Sequence, residues 1–232
     1  MSWSDGIDYE VKFWDKWFET KGDRWPEDYA ARLVMDRPVP ASFVQLLDES
    51  PANPVRVLDV GAGPLTVFGW IHPRKSIELQ ATDALAKEYD RLLLKHGVTP
   101  PIRTMFAPAE KLTDYFATNM FDFVFAQNCI DHCASPYMAI CQMLAVAKIG
   151  APVHLGHAEN EGENEGYTGF HQWNFSAVDG KFIIRGKNET LNLSDLVRPF
   201  AVTEASVANK WVNVLFRKTH DVPAQYLVSN KP

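Results

Sequence analysis

From Val55 onward the apolar positions fall into short runs separated by longer stretches of mixed polarity. Val55–Val60, Ile77–Thr82, Ile102–Phe106, Phe121–Ala126 and Pro152–His157 read as strands. Between them, residues 64–71, 84–96, 109–117 and 136–148 carry helical spacing. Gly97 and Gly150 follow two of these helices, and Ser135-Pro136 places a capping hydroxyl before a proline at the first helical position. Such alternation predicts a parallel, doubly wound α/β sheet. The end of the chain breaks the rhythm. Thr203–Asn209 and Trp211–Lys218 are strand-like and nearly adjacent, a link that permits an antiparallel hairpin and forbids a parallel crossover.

Two segments lie outside this alternation. Residues 8–35 read as helical, with an aromatic stripe of Tyr9, Phe13, Trp14, Trp17, Phe18, Trp25 and Tyr29. A further helix, Ala41–Glu49, is fenced by prolines at 38, 40, 51 and 54. The aromatic stripe suits packing on the core, a lid over a ligand, or a homodimer face. Residues 158–195 are irregular, run through Phe170-His-Gln-Trp-Asn-Phe175, and end in a predicted hairpin over Ser176–Asn192 that turns at Asp179-Gly180. An insertion after the fifth strand falls at the carboxyl edge of the sheet, where open α/β proteins bind ligands, and is read as a substrate-facing lid. The expected organisation is one domain: a helical cap over 1–54, a core over 55–157, the insertion over 158–195 and the terminal hairpin over 196–232.

At 232 residues, 46% hydrophobic and 22% charged, the chain is an ordinary globular sequence with a net charge of −6. That charge repels phosphate backbones, so nucleic acid is not expected as a partner. No apolar signal core or membrane-length run is visible, and Cys129, Cys133 and Cys141 lack metal-ligand spacing. The expectation is a cytoplasmic protein with reduced thiols, no membrane association and a small-molecule partner.

The chemistry centres on Asp59-Val-Gly61-Ala-Gly63 at the end of the first strand and Asp83 at the end of the second. Glycines let the backbone approach an adenosine-containing cofactor, and the second acid accepts hydrogen bonds from ribose hydroxyls. A dinucleotide fingerprint requires a third glycine at the place of Thr66, and Asp59 would repel a pyrophosphate. A sulfonium and an α-amino group, being cationic, suit that acid. With these residues the chain resembles the class I S-adenosylmethionine-dependent methyltransferases over residues 55–157, with the terminal hairpin completing their Rossmann-like seven-stranded sheet. The resemblance implies that Asp59, Gly61, Ala62 and Gly63 lie along the methionine part of S-adenosylmethionine. It also implies that Asp83 and Leu85 hold ribose and adenine, that Ala109 and Glu110 border the adenine, and that Gln127 and Asn128 end the fourth strand beside the methionine. Leu65 stands where the family often has another glycine.

Acceptor activation needs a group that takes a proton near neutral pH, a task suited to histidine. His132, with Asp131 as its orienter, follows the fourth strand; His157 ends the fifth, and His171 lies in the insertion. Period-2 alternation places His157 and His154 on opposite faces of their strand. A divalent ion on His154, His157, Glu159 and Asp131 is therefore disfavoured, and no metal ligand is assigned. The resulting expectation is O-methylation of a small polar acceptor, such as a sugar or other hydroxylated metabolite, in glycan or secondary-metabolite chemistry. A non-catalytic S-adenosylmethionine-binding scaffold and an NAD-dependent oxidoreductase are the alternatives.

Overall fold

The computed structural model describes residues 3–228. Three helices open the chain: α1 (Trp3–Glu19), α2 (Pro26–Arg32) and α3 (Ala41–Asp48). The alternating core follows as β1 (Val55–Val60), β2 (Ile77–Asp83), α4 (Ala86–His96), β3 (Thr104–Phe106), β4 (Phe123–Gln127), α5 (Pro136–Val146) and β5 (Pro152–Ala158). The insertion carries α6 (Glu161–Asn164), β6 (Asn174–Val178), β7 (Lys181–Arg185), β8 (Thr190–Asn192) and α7 (Leu193–Val197), and β9 (Ala201–Ala208) and β10 (Trp211–Lys218) close the fold.

Seven strands form one sheet in the order β3-β2-β1-β4-β5-β10-β9. β10 runs antiparallel to both β5 and β9, as the short link between the last two strands requires. β6, β7 and β8 make a separate antiparallel sheet, so the predicted hairpin gains a third strand. Alternation assigns the two faces. Leu58, Val60, Val124, Ala126, Val153 and Leu155 pack toward α5 in one apolar cluster, while Val55, Val57, Phe123 and Phe125 pack with Phe43 and Leu47 of α3 in another.

The helix expected over 64–71 is absent, and 61–76 is an irregular crossover. Thr66 explains this locally: its hydroxyl donates to Asp59 Oδ2 and accepts the amide of Phe68, which a helix would send to a carbonyl four residues back. Pro64 and Gly69 also weaken helix there. A Cβ on Gly69 would stand 1.9 Å from the Pro38 carbonyl oxygen, so only glycine lets the two segments meet. α3 covers the vacated face, with Phe43 5.8 Å from Phe68 and 5.4 Å from both Phe123 and Phe125, centroid to centroid. Other departures are smaller. The 109–117 helix is a 3₁₀ segment over Ala109–Asp114, and the 8–35 helix is broken between α1 and α2. The predicted punctuation holds at Gly97, in the left-handed region with φ 64°, and at Ser135, whose Oγ accepts the Met138 amide.

Candidate active site

The glycine turn and the acid at the end of β2 meet directly. Gly61 and Gly63 both adopt positive φ (68° and 65°), a conformation that L side chains rarely take. The Gly63 amide donates to Asp83 Oδ2 at 3.1 Å, the Leu85 amide donates to Asp83 Oδ1 at 2.8 Å, and Thr104 Oγ1 donates to the Gly63 carbonyl at 2.7 Å. Two backbone donors leave lone pairs on the Asp83 carboxylate, which can accept ribose hydroxyls. Burial pushes the Asp83 carboxyl up to about 6, against the pull of the two amides and of His132. Cys129 supports the turn from behind: its thiol donates to the Val60 carbonyl, and a Cβ on Gly61 would sit 2.4 Å from its Sγ.

α1 lies across this turn. A Cβ on Gly63 would reach within 3.0 Å of the Trp14 ring, and Trp14 Nε1 donates to Glu10 Oε1 at 2.9 Å. Trp17 and Phe18 pack with Leu65, Leu85, Tyr89 and Phe170 in one buried cluster, so the aromatic stripe both packs on the core and covers the glycine turn. The insertion closes on the same helix. A Cβ on Gly6 would clash with the Phe170 ring at 2.3 Å, and one on Gly169 would stand 2.8 Å from Tyr9. Glu10 acts electrostatically on both Asp83 and His171, which locates it between the cofactor turn and the insertion. Sequence reasoning missed Glu10, because an acid within an amphipathic helix reads as surface.

Asp131 is the hub of the second cluster. It is fully buried in a 3₁₀ turn after β4, with His157 Nε2 2.7 Å from Oδ1 and His171 Nδ1 2.7 Å from Oδ2. His132 Nε2 lies 3.2 Å from His171 Nδ1 and 3.7 Å from Asp131 Oδ1. Burial opposes ionisation of Asp131, yet the surrounding imidazoles hold its carboxyl well below the usual carboxylate range. Burial likewise works against the His171 cation. The bond to Asp131, with the charges of Asp131, Glu161 and Glu10, nonetheless raises its pKa above the ordinary histidine value.

Of the histidines expected to activate an acceptor, the structure brings His132 and His171 together at the partly open side of this cluster. His157 is placed differently. It is 0% exposed, its Nδ1 faces the Ala158 carbonyl at 2.9 Å, and its ring packs on Phe175 at 4.5 Å. Both of its ring nitrogens face acceptors, which leaves it as a support for Asp131 rather than a group that meets substrate. His154 projects from the other face of the sheet, stacked 5.8 Å from Phe125, so His154 and His157 do not converge.

Four residues expected along the cofactor have their side chains engaged elsewhere. Asp59 points beneath the turn, bonded to the Thr66 hydroxyl at 2.5 Å and in the field of Arg32. Glu110 accepts the Ser135 amide at 2.7 Å and so ties its segment to the start of α5. Asn128 Oδ1 accepts the Ala158 amide, bridging the ends of β4 and β5. Gln127 lines a cleft with Phe43, Phe125, His154 and Trp211 on the α3 side. Ala62 lies in the turn, and Ala109 packs against the α5-side core.

The sheet order, the terminal antiparallel strand and the glycine turn facing an acid define the fold of the class I S-adenosylmethionine-dependent methyltransferases. Residues 58–154 match the family model described as a methyltransferase domain. Over that segment the chain is similar to methyltransferase domains, and its fold is the one with which that family binds S-adenosylmethionine. Among solved structures, the fold is similar to the CurJ carbon methyltransferase, with TM-score 0.50 and 14% identity, covering 75% of this chain and 51% of that one. It is also similar to the CMeT domain of the citrinin polyketide synthase, with TM-score 0.51 and 12% identity, covering 78% and 53%. The chain thus spans about half the length of these two. Burkholderia thailandensis 1,6-didemethyltoxoflavin-N1-methyltransferase, solved with bound S-adenosylhomocysteine, matches at TM-score 0.47 and 14% identity over 90% of this chain and 87% of that one. No curated protein sequence matches the chain. Among the described residues, no helix is long and apolar enough to cross a membrane.

Proposed function

We propose that the protein methylates an oxygen of a small hydroxylated acceptor, a sugar or related metabolite, that docks against the His132–His171 pair. The observation that carries this reading is an imidazole pair anchored by a buried carboxylate and set beside the glycine turn. His132 is close enough to Asp83 to act electrostatically on it. S-adenosylmethionine supplies, when bound, a methyl group on a sulfonium leaving group. Gly61 and Gly63 let the backbone approach it, and Asp83 holds the ribose. Trp14 and Glu10 cover the turn and exclude water.

Acceptor chemistry falls to the histidines. Asp131 fixes the His171 ring through Nδ1, which leaves Nε2 to accept a proton from an acceptor hydroxyl. His157 holds Asp131 from behind. A base placed this way contributes typically ~10²–10⁴-fold in rate, and alignment of acceptor oxygen with the methyl supplies much of the rest. Phe170, buried against the α1 side, and Gln172, whose Nε2 donates to the Tyr167 and Gly169 carbonyls, hold the segment that presents His171.

The test is calorimetric titration of S-adenosylhomocysteine into wild type and Asp83→Ala, followed by an acceptor screen over sugars, phenols and amines. Tight binding weakened by the substitution, with methyl transfer to hydroxyl compounds, is expected. Transfer to amines alone would overturn the oxygen assignment. Binding without transfer to any acceptor would move the scaffold reading ahead.

A further inference from the structure

We propose that Asp131, His132 and His171 form a three-ligand site for a borderline divalent transition-metal ion, with Zn²⁺ as its representative. The inference deepens the reading above and rests on it only for the chemical consequence; the binding itself stands on geometry. The donor groups lie close together, with one ligand atom from each within 4.8 Å of the others. His171 Nδ1 lies 2.7 Å from Asp131 Oδ2 and 3.2 Å from His132 Nε2, which is 3.7 Å from Asp131 Oδ1. Ligands about 2.0–2.1 Å from zinc in a tetrahedral site are separated by roughly 3.3 Å, the centre of that range. Three donors are therefore gathered within reach of one ion, and a three-ligand zinc site of this kind leaves a fourth position to a further oxygen.

The surroundings suit a cation. Two ring nitrogens 3.2 Å apart both face one carboxylate, an arrangement that a shared positive centre satisfies better than a single proton. The Asp131 carboxylate is fixed by His157 Nε2 at 2.7 Å, and His157 is fixed in turn by the Ala158 carbonyl. Supporting bonds of this kind orient ligating carboxylates in metal sites. Two imidazoles with a single carboxylate select zinc-like ions over Mg²⁺ or Ca²⁺, which demand oxygen ligands. The ligands come from a 3₁₀ turn and from the insertion forty residues later, so the ion would also pin the insertion over the core. With the ion on Nδ1, the His171 ring proton sits on Nε2, so in the ion-bound protein an acceptor hydroxyl on the fourth position would be acidified by the ion and lose its proton to solvent in place of His171. The oxygen lone pair then forms the O–C bond as the C–S bond breaks.

The experiment uses chelator-stripped full-length protein titrated with Co²⁺, followed by visible absorption, and with Zn²⁺, followed by calorimetry. One ion per chain, with a low-symmetry Co²⁺ d–d band that Zn²⁺ displaces, is expected. His132→Ala and His171→Ala should each weaken uptake at least about 100-fold while still binding S-adenosylhomocysteine, which shows that they are folded. His220→Ala, at an exposed position, should leave uptake unchanged. Absence of saturable uptake, or uptake undiminished in the His132→Ala/His171→Ala double variant, would overturn the proposal. No acceptor enters this readout, so a failed acceptor screen sinks the preceding reading without touching this one.

Discussion

His171 Nδ1 sits 2.7 Å from Asp131 Oδ2 although forty residues and all of β5 separate them in the chain. The pair joins the insertion after β5 to the turn that follows β4, and removal of either partner has a distinct consequence. If His171 is the proton acceptor proposed above, His171→Ala is expected to lower kcat by ~10²–10⁴-fold while leaving S-adenosylhomocysteine affinity within about two-fold. Asp131→Asn takes the buried carboxylate away from the His157 and His171 rings and should lower both kcat and thermal stability, since breaking a buried pair costs about 3–5 kcal/mol. Equal kcat in His171→Ala and wild type, measured at saturating cofactor, would remove the histidine from the chemistry.

Gly61 is constrained in two ways, and the two can be separated. Gly61→Ala places a methyl 2.4 Å from Cys129 Sγ and forces an alanine to φ 68°. The left-handed conformation alone costs roughly 1–2 kcal/mol. Calorimetry should show cofactor affinity reduced at least ~10-fold in Gly61→Ala. In Gly61→Ala/Cys129→Gly, which removes both Sγ and the Cβ that lies 2.6 Å from the new methyl, the steric part is relieved, so a partial recovery is expected; a full recovery would mean that backbone strain plays no part.

Much of this architecture was legible in residue order, and the misplacements share one cause. Strand runs, the terminal hairpin and the caps at Ser135 and Gly97 follow from local patterning, which the main chain obeys. The glycine turn and Asp83 were legible because their spacing places both at the carboxyl edge of adjacent parallel strands. What residue order does not show is where a polar side chain spends its hydrogen bonds. Thr66 took the amide that a 64–71 helix required, and Glu110 turned to the start of α5. The adjacency of Asp131 and His132 put both in the turn after β4. Yet the closest contacts of Asp131 are His157 and His171, which only the tertiary fold delivers.

Lys218 is a buried cation that anchors the hairpin to the core. It is 1% exposed, and its Nζ donates to Asn119 Oδ1 at 2.7 Å and to the carbonyls of Ala147 and Ala145 at 2.9 and 3.2 Å. These carbonyls end α5, where a positive charge also complements the helix dipole. Lys218→Met keeps much of the volume but strips the buried Ala147 carbonyl of its donor and removes the charge-assisted bonds to Asn119 and Ala145, a loss of about 2–4 kcal/mol. For a domain of this size that lowers Tm by roughly 5–15 °C, which differential scanning calorimetry would resolve. A change below 2 °C would show that water replaces the ammonium without penalty.

Asp59 gives a pH signature of opposite sign to an ordinary salt-bridged acid. Burial pushes its carboxyl up to about 7, with the Thr66 hydroxyl and Arg32 pulling down, Asp83 pushing up and Arg37 pulling down. Because the folded-state value lies above the unfolded one, the folded protein holds a proton that the unfolded chain releases at lower pH. The stabilisation is complete below about pH 4 and is lost as pH rises through about 7. Asp59→Asn is neutral throughout, and its amide oxygen can still accept the Thr66 hydroxyl. In ligand-free protein the variant should melt near wild type at pH 5 and several degrees above it at pH 8, the gap widening steadily between. Asp83, raised to about 6 for the same reason, adds a slope of the same sign to both proteins, so the test is the difference between them rather than either slope alone. A variant that melts lower by the same amount at every pH would show that Asp59 is ionised throughout and held by Arg32. The sign of the slope thus decides whether the acid under the glycine turn carries a charge before the cofactor arrives.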